Sequence, residues 1–373
     1  AVDGTMALVT DGNGAVTVVN DAGLNFAAST VGGALSATAT TGNITQSGAL
    51  AINGVTTIAA DSGNNITLNN ASNNFQAAVR ITSGNDVRLV DAGAIDLGAS
   101  TVSGTYAVTA TAGGDITDSG VLAITGTSTF TVGNGQSVIL DESSTFSTVT
   151  FASPGTIASV TINDSNALDL GVLTVANNLT VTAGGNITDS GTVTVGGNLA
   201  ATTDANNGAI DLGTLAVDGT MALATHGNGA ATVVNDAGLN FAASTVGGAL
   251  SATATTGNIT DSGALAITGT TTLVTSANDA TIVLDTTTNA FTGALTITTN
   301  DNSGTDADVT IDGGTTALII AASTIDGNLT LTSGATAGIT DSGTVTVGGN
   351  LAATTDANNG VINLGTLAVD GTM

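Results

Sequence analysis

The chain has 373 residues, of which 42% are hydrophobic and 8% charged, and its formal net charge is −27. It has no cysteine, which excludes disulfides. Its only fixed cations are two arginines, which argues against nucleic-acid binding because phosphate contacts need Lys and Arg. A mean hydropathy of +0.39 is too high for a disordered chain, and abundant Gly and β-branched residues favour strands over helices.

The chain repeats itself from its first residues onward. Residues 1–52 and 216–267 are identical at 48 of 52 positions, and residues 187–221 and 339–373 at 33 of 35. The string AVDGTM stands at 1–6, 216–221 and 368–373. Self-similarity on this scale is the signature of a stacked repeat architecture. We expect the sequence to be a segment of a longer repetitive chain.

A shorter motif divides the chain into sub-repeats. Ile-Thr-Asp/Gln-Ser-Gly begins at Ile44, Ile116, Ile187, Ile259 and Ile339, with spacings of 72, 71, 72 and 80. The longest spacing contains a polar stretch, residues 300–308, which predicts a loop insertion. We therefore predict one continuous repeat segment over residues 1–373, built from sub-repeats of about 72 residues.

Short strands are predicted along the whole chain. Apolar and polar residues alternate at Leu173–Val175, Thr192–Val195, Ala294–Thr298 and Leu329–Thr332, which indicates strands with one buried face. Such strands are too short to be stable alone, but stacked coils pair them about 4.8 Å apart. The predicted fold is a single-stranded parallel β-helix of roughly 16–18 coils, each of about 20–24 residues, in which ladders of Asn and Thr add cohesion.

Phenylalanines mark equivalent points of the repeats. Phe75, Phe146 and Phe291 each follow a β-type tetrad by 8 or 9 residues, and Phe26 and Phe241 are repeat mates. We expect these rings to fill the core of the coils, since aromatic side chains carry a large hydrophobic area.

The amino-acid sequences of two segments resemble the repeats of a known family. Ala176–Thr188 and Gly196–Thr203 read ANNLTVTAGGNIT and GGNLAATT, similar to the repeats of filamentous-haemagglutinin-type giant surface proteins and autotransporter passengers of Gram-negative bacteria. The resemblance covers essentially the whole chain. It implies a right-handed β-helix, secretion to the bacterial cell surface, and a role in adhesion or self-association. The implied partners are copies of the chain itself and cell-surface glycans.

The sequence offers few catalytic candidates, and we expect no enzyme activity. Arg80 and Arg88, eight residues apart, could share a face and form the groove of a glycan-binding or glycan-cleaving β-helix, an alternative that also needs carboxylates. His226 replaces Asp11 of the other copy, as expected for drift at an exposed turn. The repeated Asp-Ser-Gly predicts a turn with local side-chain-to-backbone hydrogen bonds.

Calcium is the one cofactor that the sequence suggests. Asp301, Asp306, Asp308 and Asp312 form its densest acidic cluster, and carboxylate oxygens are natural calcium ligands. A solvated acidic loop is the alternative. A minor alternative for the whole chain is an ice-binding β-solenoid, since Thr is abundant, but Thr192/Thr194 and Thr330/Thr332 do not recur in every coil. No apolar run approaches the roughly 18 residues of a membrane-spanning helix.

Overall fold

A computed structural model describes residues 3–111, 113–204, 207–300 and 306–373. Within these residues the secondary structure consists of strands, and no helix is present. The strands build a parallel β-solenoid of about 17 turns with coils of ~21 residues. The predicted all-β parallel solenoid is therefore confirmed. No described segment forms a helix long and apolar enough to cross a membrane.

The chain divides into two compact units, residues 1–169 with 174–176, and residues 170–173 with 177–373. The first unit contains 21 complete strands: β1 Thr5–Met6, β2 Val16–Asn20, β3 Leu24–Phe26, β4 Ser29–Val31, β5 Leu35–Ala39, β6 Ile44–Gln46, β7 Leu50–Ile52, β8 Thr56–Ala60, β9 Ile66–Leu68, β10 Asn74–Phe75, β11 Val79–Ser83, β12 Val87–Asp91, β13 Ile95–Leu97, β14 Ser100–Val102, β15 Tyr106–Ala110, β16 Ile116–Asp118, β17 Leu122–Ile124, β18 Thr127–Thr131, β19 Gln136–Ser144, β20 Thr148–Ala152 and β21 Ile157–Asp164.

Strands β22 Leu168–Leu170 and β23 Leu173–Val175 contribute residues to both units. The second unit contains the remaining strands: β24 Leu179–Ala183, β25 Ile187–Asp189, β26 Val193–Val195, β27 Leu199–Thr203, β28 Ile210–Val217, β29 Thr220–Ala224, β30 Ala231–Asn235, β31 Leu239–Phe241, β32 Ser244–Val246, β33 Leu250–Ala254, β34 Ile259–Asp261, β35 Leu265–Ile267, β36 Thr271–Thr275, β37 Ile282–Leu284, β38 Ala290–Phe291, β39 Leu295–Thr298, β40 Val309–Asp312, β41 Leu318–Ile320, β42 Ser323–Ile325, β43 Leu329–Ser333, β44 Ile339–Asp341, β45 Val345–Val347, β46 Leu351–Thr355, β47 Ile362–Asn363 and β48 Leu367–Val369. The four predicted strands at 173–175, 192–195, 294–298 and 329–332 are confirmed within a residue or two.

Most strands pair with a strand one coil further along the chain. In the first unit β6 lies beside β9 with Ile44 opposite Ile66, and β12 lies beside β15 with Val87 opposite Tyr106. In the second unit β34 lies beside β37 in the same way, with Ile259 opposite Ile282. These pairings are parallel, so equivalent side chains of successive coils stack in columns.

The core is a thin column of aliphatic and aromatic side chains. Phe26, Phe75, Phe146, Phe241 and Phe291 are all buried, none exposing more than 3% of its surface. Strand register explains the equivalence of three of these rings. Phe75 stands opposite Ile52, and Phe291 stands opposite Ile267. Phe146 has the corresponding place, because the residue before it, Thr145, stands opposite Ala123, the residue before Ile124. The predicted core-filling role is confirmed.

Side-chain ladders connect the coils at their corners. Oδ1 of Asn43 accepts the Asn65 N–H at 2.8 Å, Oδ1 of Asn65 accepts the Asp86 N–H at 3.1 Å, and Oδ1 of Asp86 accepts the Thr105 N–H at 2.9 Å. Each bond satisfies a backbone donor where the chain turns into a strand. The predicted ladders of Asn and Thr are therefore present, although Asp takes one of the positions.

Candidate functional site

The aspartate of the repeated Asp-Ser-Gly motif reaches the following coil. The carboxylate of Asp189, at the end of β25, accepts the Gly213 N–H at 2.9 Å, the Thr214 N–H at 2.7 Å and the Thr214 hydroxyl at 2.6 Å. Asp341 repeats the arrangement with the N–H groups of Gly365 at 2.8 Å and Thr366 at 2.7 Å. The hydrogen bond from Gly365 is the main reason why the pKa of Asp341 lies below its usual value.

The serine of the motif binds in the opposite direction. The Ser47 N–H donates to the Phe26 carbonyl at 2.7 Å, and the Ser262 N–H donates to the Phe241 carbonyl at 2.7 Å. In each case the partner belongs to the preceding coil. One motif therefore connects the coil that carries it to the coils before and after it.

The glycine of the motif allows the coils to approach closely. A Cβ atom added to Gly120 would lie 2.4 Å from the backbone nitrogen of Ala99, and one added to Gly263 would lie 2.4 Å from that of Ala243. Such distances are well below van der Waals contact, so any side chain would push the coils apart. We call the three residues together the Asp-Ser-Gly clamp.

Two copies of the clamp bind a side chain of the next coil. Gln46 stands in place of the aspartate, donates from Nε2 to Oδ1 of Asn73 at 2.7 Å and accepts from Nδ2 of Asn73 at 2.9 Å. Oδ2 of Asp261 likewise accepts from Nδ2 of Asn289 at 2.6 Å. The first residue of the clamp therefore bonds to the next coil whether it is an aspartate or a glutamine.

In the remaining copy, Asp118 is buried. Its Oδ1 accepts the Asp141 N–H at 2.9 Å, whereas its Oδ2 has no hydrogen-bond partner within the described residues. Burial raises the pKa of Asp118 to about 7, and the nearby carboxylates of Asp141 and Glu142 add to the effect.

The predicted local bonding of the turn is present in the copy with Gln46, whose Nε2 donates to the Gly48 carbonyl at 2.7 Å, but it does not describe the contacts of Asp189 and Asp341. The bonds that Asp189 and Asp341 accept come from residues 24 or 25 positions further along the chain. The physical reason is that a parallel coil places the next turn directly beside the motif, where N–H groups that do not pair within their own strand need acceptors.

The predicted calcium ligands serve the fold where the structure describes them. Oδ1 of Asp308 accepts the Asn328 N–H at 2.6 Å, and Oδ1 of Asp312 accepts the Gly314 N–H at 2.7 Å. The pKa of Asp306 is raised by loss of solvation and by the neighbouring carboxylate of Asp279. Asp301 lies outside the described residues. Within them, no three His, Asp or Glu side chains come together as a metal site.

The two arginines do not share a sheet. Arg80 lies on β11, which pairs with β8 and β13, whereas Arg88 lies on β12, which pairs with β9 and β15. Both side chains are exposed. The groove that the glycan-cleaving alternative requires is therefore not formed by this pair. His226 is exposed in the turn between β29 and β30, as expected for drift at a turn.

The five-residue strands carry an outer surface without exposed acidic residues, which sequence reasoning missed. Among the described residues sixteen strands have this length, and Asp91 is their only acidic residue, buried with 1% of its surface exposed. Both arginines also lie on these strands, and the other outward residues are mostly Thr, Ser, Val and Ala. Strand length combined with period-2 alternation could have revealed this surface. The negative charge of the chain is thus concentrated in turns and on other strands.

A family model matches the chain in five consecutive spans, residues 13–82, 84–153, 158–214, 228–298 and 306–372, and its description is "repeats of unknown function (DUF5649)". Each span contains one of the five clamps. The curated proteins and the solved structures compared with the chain give no significant match. Because the matched spans cover most of its length, the chain belongs to the family of DUF5649 repeats.

Proposed function

We propose that the chain is a non-catalytic structural and adhesive segment of a giant repetitive protein at the bacterial cell surface, and that it associates with copies of itself. The observation that carries this proposal is the clamp, which recurs in each of the five family spans. A catalytic site needs one constellation of residues, whereas a motif repeated in register supports mechanical continuity along a stack.

The chemistry of the clamp fits this role. Its polar atoms bind neighbouring coils and not an open cleft, as the three bonds accepted by Asp189 illustrate. Its glycines remove the side chain at points where two coils approach closely. A stack held in this way resists separation of adjacent coils, because several hydrogen bonds must break together.

The surfaces of the five-residue strands support self-association. Two copies of a chain with a net charge of −27 repel each other, and contact through surfaces without exposed acidic residues reduces that repulsion. Repetition of one contact along the stack would add avidity.

Antibodies raised against the chain test the location. On intact cells that produce it, we expect immunogold electron microscopy to label filaments or a coat outside the outer membrane. Labelling that appears only after the cells are permeabilised would refute an extracellular structural role.

A further inference from the structure

The two units contain the same surface cleft at equivalent positions of the repeat. One cleft, of about 380 Å³, lies in the first unit at Gly23, Asn25 and Thr45, and the other, of about 320 Å³, lies in the second unit at Gly238, Asn240 and Thr260. Eight lining residues of one cleft have an identical repeat mate in the other. The second cleft lies far from either end of the sequence, with coils on both sides, so its opening is a property of the fold.

Glycines form the floor of each cleft. A Cβ atom added to Gly23 would lie 2.7 Å from the carbonyl oxygen of Asn43, and one added to Gly238 would lie 2.9 Å from that of Asn258. These glycines therefore let two successive turns approach closely, and they place no side chain in the cleft. Volumes above 300 Å³ are within the usual range of small-molecule sites.

The cleft walls carry polar groups that the coils do not use. Oδ1 of Asn25 and Oδ1 of Asn240 are buried and have no hydrogen-bond partner within the described residues. By contrast, Asn43 and Asn258 bind the next coil, accepting the N–H groups of Asn65 at 2.8 Å and Thr281 at 2.9 Å. The amide torsion of asparagine is soft, so a small rotation presents either amide atom to the cleft.

A hydroxyl and a carboxylate complete each wall. Thr45 donates only a long bond, 3.3 Å, to the Leu24 carbonyl, and Thr260 donates one of 3.4 Å to the Leu239 carbonyl. Both hydroxyl oxygens therefore keep acceptor capacity. Asp3 and Asp218, at the rim of their clefts, are exposed and can accept bonds from a ligand hydroxyl.

This combination selects one class of ligand. An anionic ligand would meet a carboxylate, no lining cation and a chain of net charge −27. A divalent cation would find a single carboxylate where it needs six or more oxygen ligands. We propose that the two clefts are duplicate binding sites for a neutral saccharide, held by Asn25, Thr45 and Asp3 in one unit and by Asn240, Thr260 and Asp218 in the other.

Nuclear magnetic resonance of the full chain tests this assignment. The probes are maltose, cellobiose, lactose and N,N′-diacetylchitobiose, each titrated to about 20 mM because a shallow, polar site is expected to bind weakly, in the millimolar range. At least one disaccharide should shift the backbone amide signals of both Gly23 and Gly238, which line the two clefts, saturably and with similar affinity. A form of that disaccharide carrying a uronic acid should bind at least about threefold more weakly at low salt.

Variants distinguish the two sites. Asn25→Ala should abolish the response of the first cleft alone, Asn240→Ala that of the second alone, and the double variant both. Asn53→Ala, at an exposed position outside both clefts, should leave both responses intact. If an alanine variant fails to fold, Thr45→Val and Thr260→Val provide the same test. Absence of any response to the four sugars, responses that survive in the double variant, or tighter binding of the acidic sugar would each overturn the proposal.

Discussion

Removal of the clamp carboxylate in the second unit should loosen the next coil. Asp189→Ala deletes three hydrogen bonds, at 2.9, 2.7 and 2.6 Å. Bonds to a charged group contribute roughly 1.5–3 kcal/mol each when buried, but Gly213 and Thr214 are exposed and water can replace the carboxylate, so we take about 1 kcal/mol per bond. The free energy of local opening should then fall by about 2–3 kcal/mol, which corresponds to roughly 30- to 150-fold faster exchange.

Hydrogen exchange with mass spectrometry measures this effect locally, which suits a repeat protein whose unfolding need not be two-state. The informative peptides contain Leu212 and Leu215, which flank the released turn. Asp236→Ala is the matched control, since it removes the same charge from an exposed turn residue whose side chain makes no hydrogen bond to the described residues. A change below about threefold, or an equal change in the control, would refute the structural role of the clamp.

Three further predictions concern the fold and its association. Gly120→Ala should lower the melting temperature, because the new Cβ would lie 2.4 Å from the Ala99 nitrogen and such overpacking costs about 1–3 kcal/mol. Gly63→Ala is the control and should change the melting temperature little, since no atom lies within 4 Å of its added Cβ. Equal effects of the two substitutions would contradict the close approach of coils at Gly120. The folded-state pKa of Asp118, about 7, exceeds its ordinary 3.8, so its ionisation destabilises the native state and stability should fall as pH rises from about 4 to about 7. Between pH 5 and 8 the melting temperature of Asp118→Asn should fall less than that of the unmodified chain. If both fall equally, the Asp118 carboxyl is not a source of the pH dependence of stability. Because the chain carries −27, millimolar calcium or magnesium should promote association in analytical ultracentrifugation and chelation should reverse it; indifference to both would contradict electrostatic control.

The sequence predicts features that depend on repeat phase. The equivalence of Phe75, Phe146 and Phe291 follows from their distance of 8 or 9 residues to the preceding tetrad, and the short strands follow from period-2 alternation. Val87 and Ile95 are only eight residues apart, yet they lie on β12 and β13, which belong to different sheets.

Features set by contacts between coils could not be predicted in this way. The partners of Asp189 lie 24 and 25 residues away, and no local pattern specifies which turn will face its carboxylate. Arg80 and Arg88 separate because the chain changes sheets between β11 and β12, a bend that their spacing does not show. The clefts at Asn25 and Asn240 arise where glycine turns of successive coils meet. Their shape depends on which turns are neighbours in the folded chain, and no local sequence pattern specifies this.

Electron cryomicroscopy of the native material tests the central claim most directly. A structural segment built from stacked coils should appear in continuous filaments with an axial repeat of about 4.8 Å, the spacing of paired strands. Compact separate particles without that repeat would contradict the account.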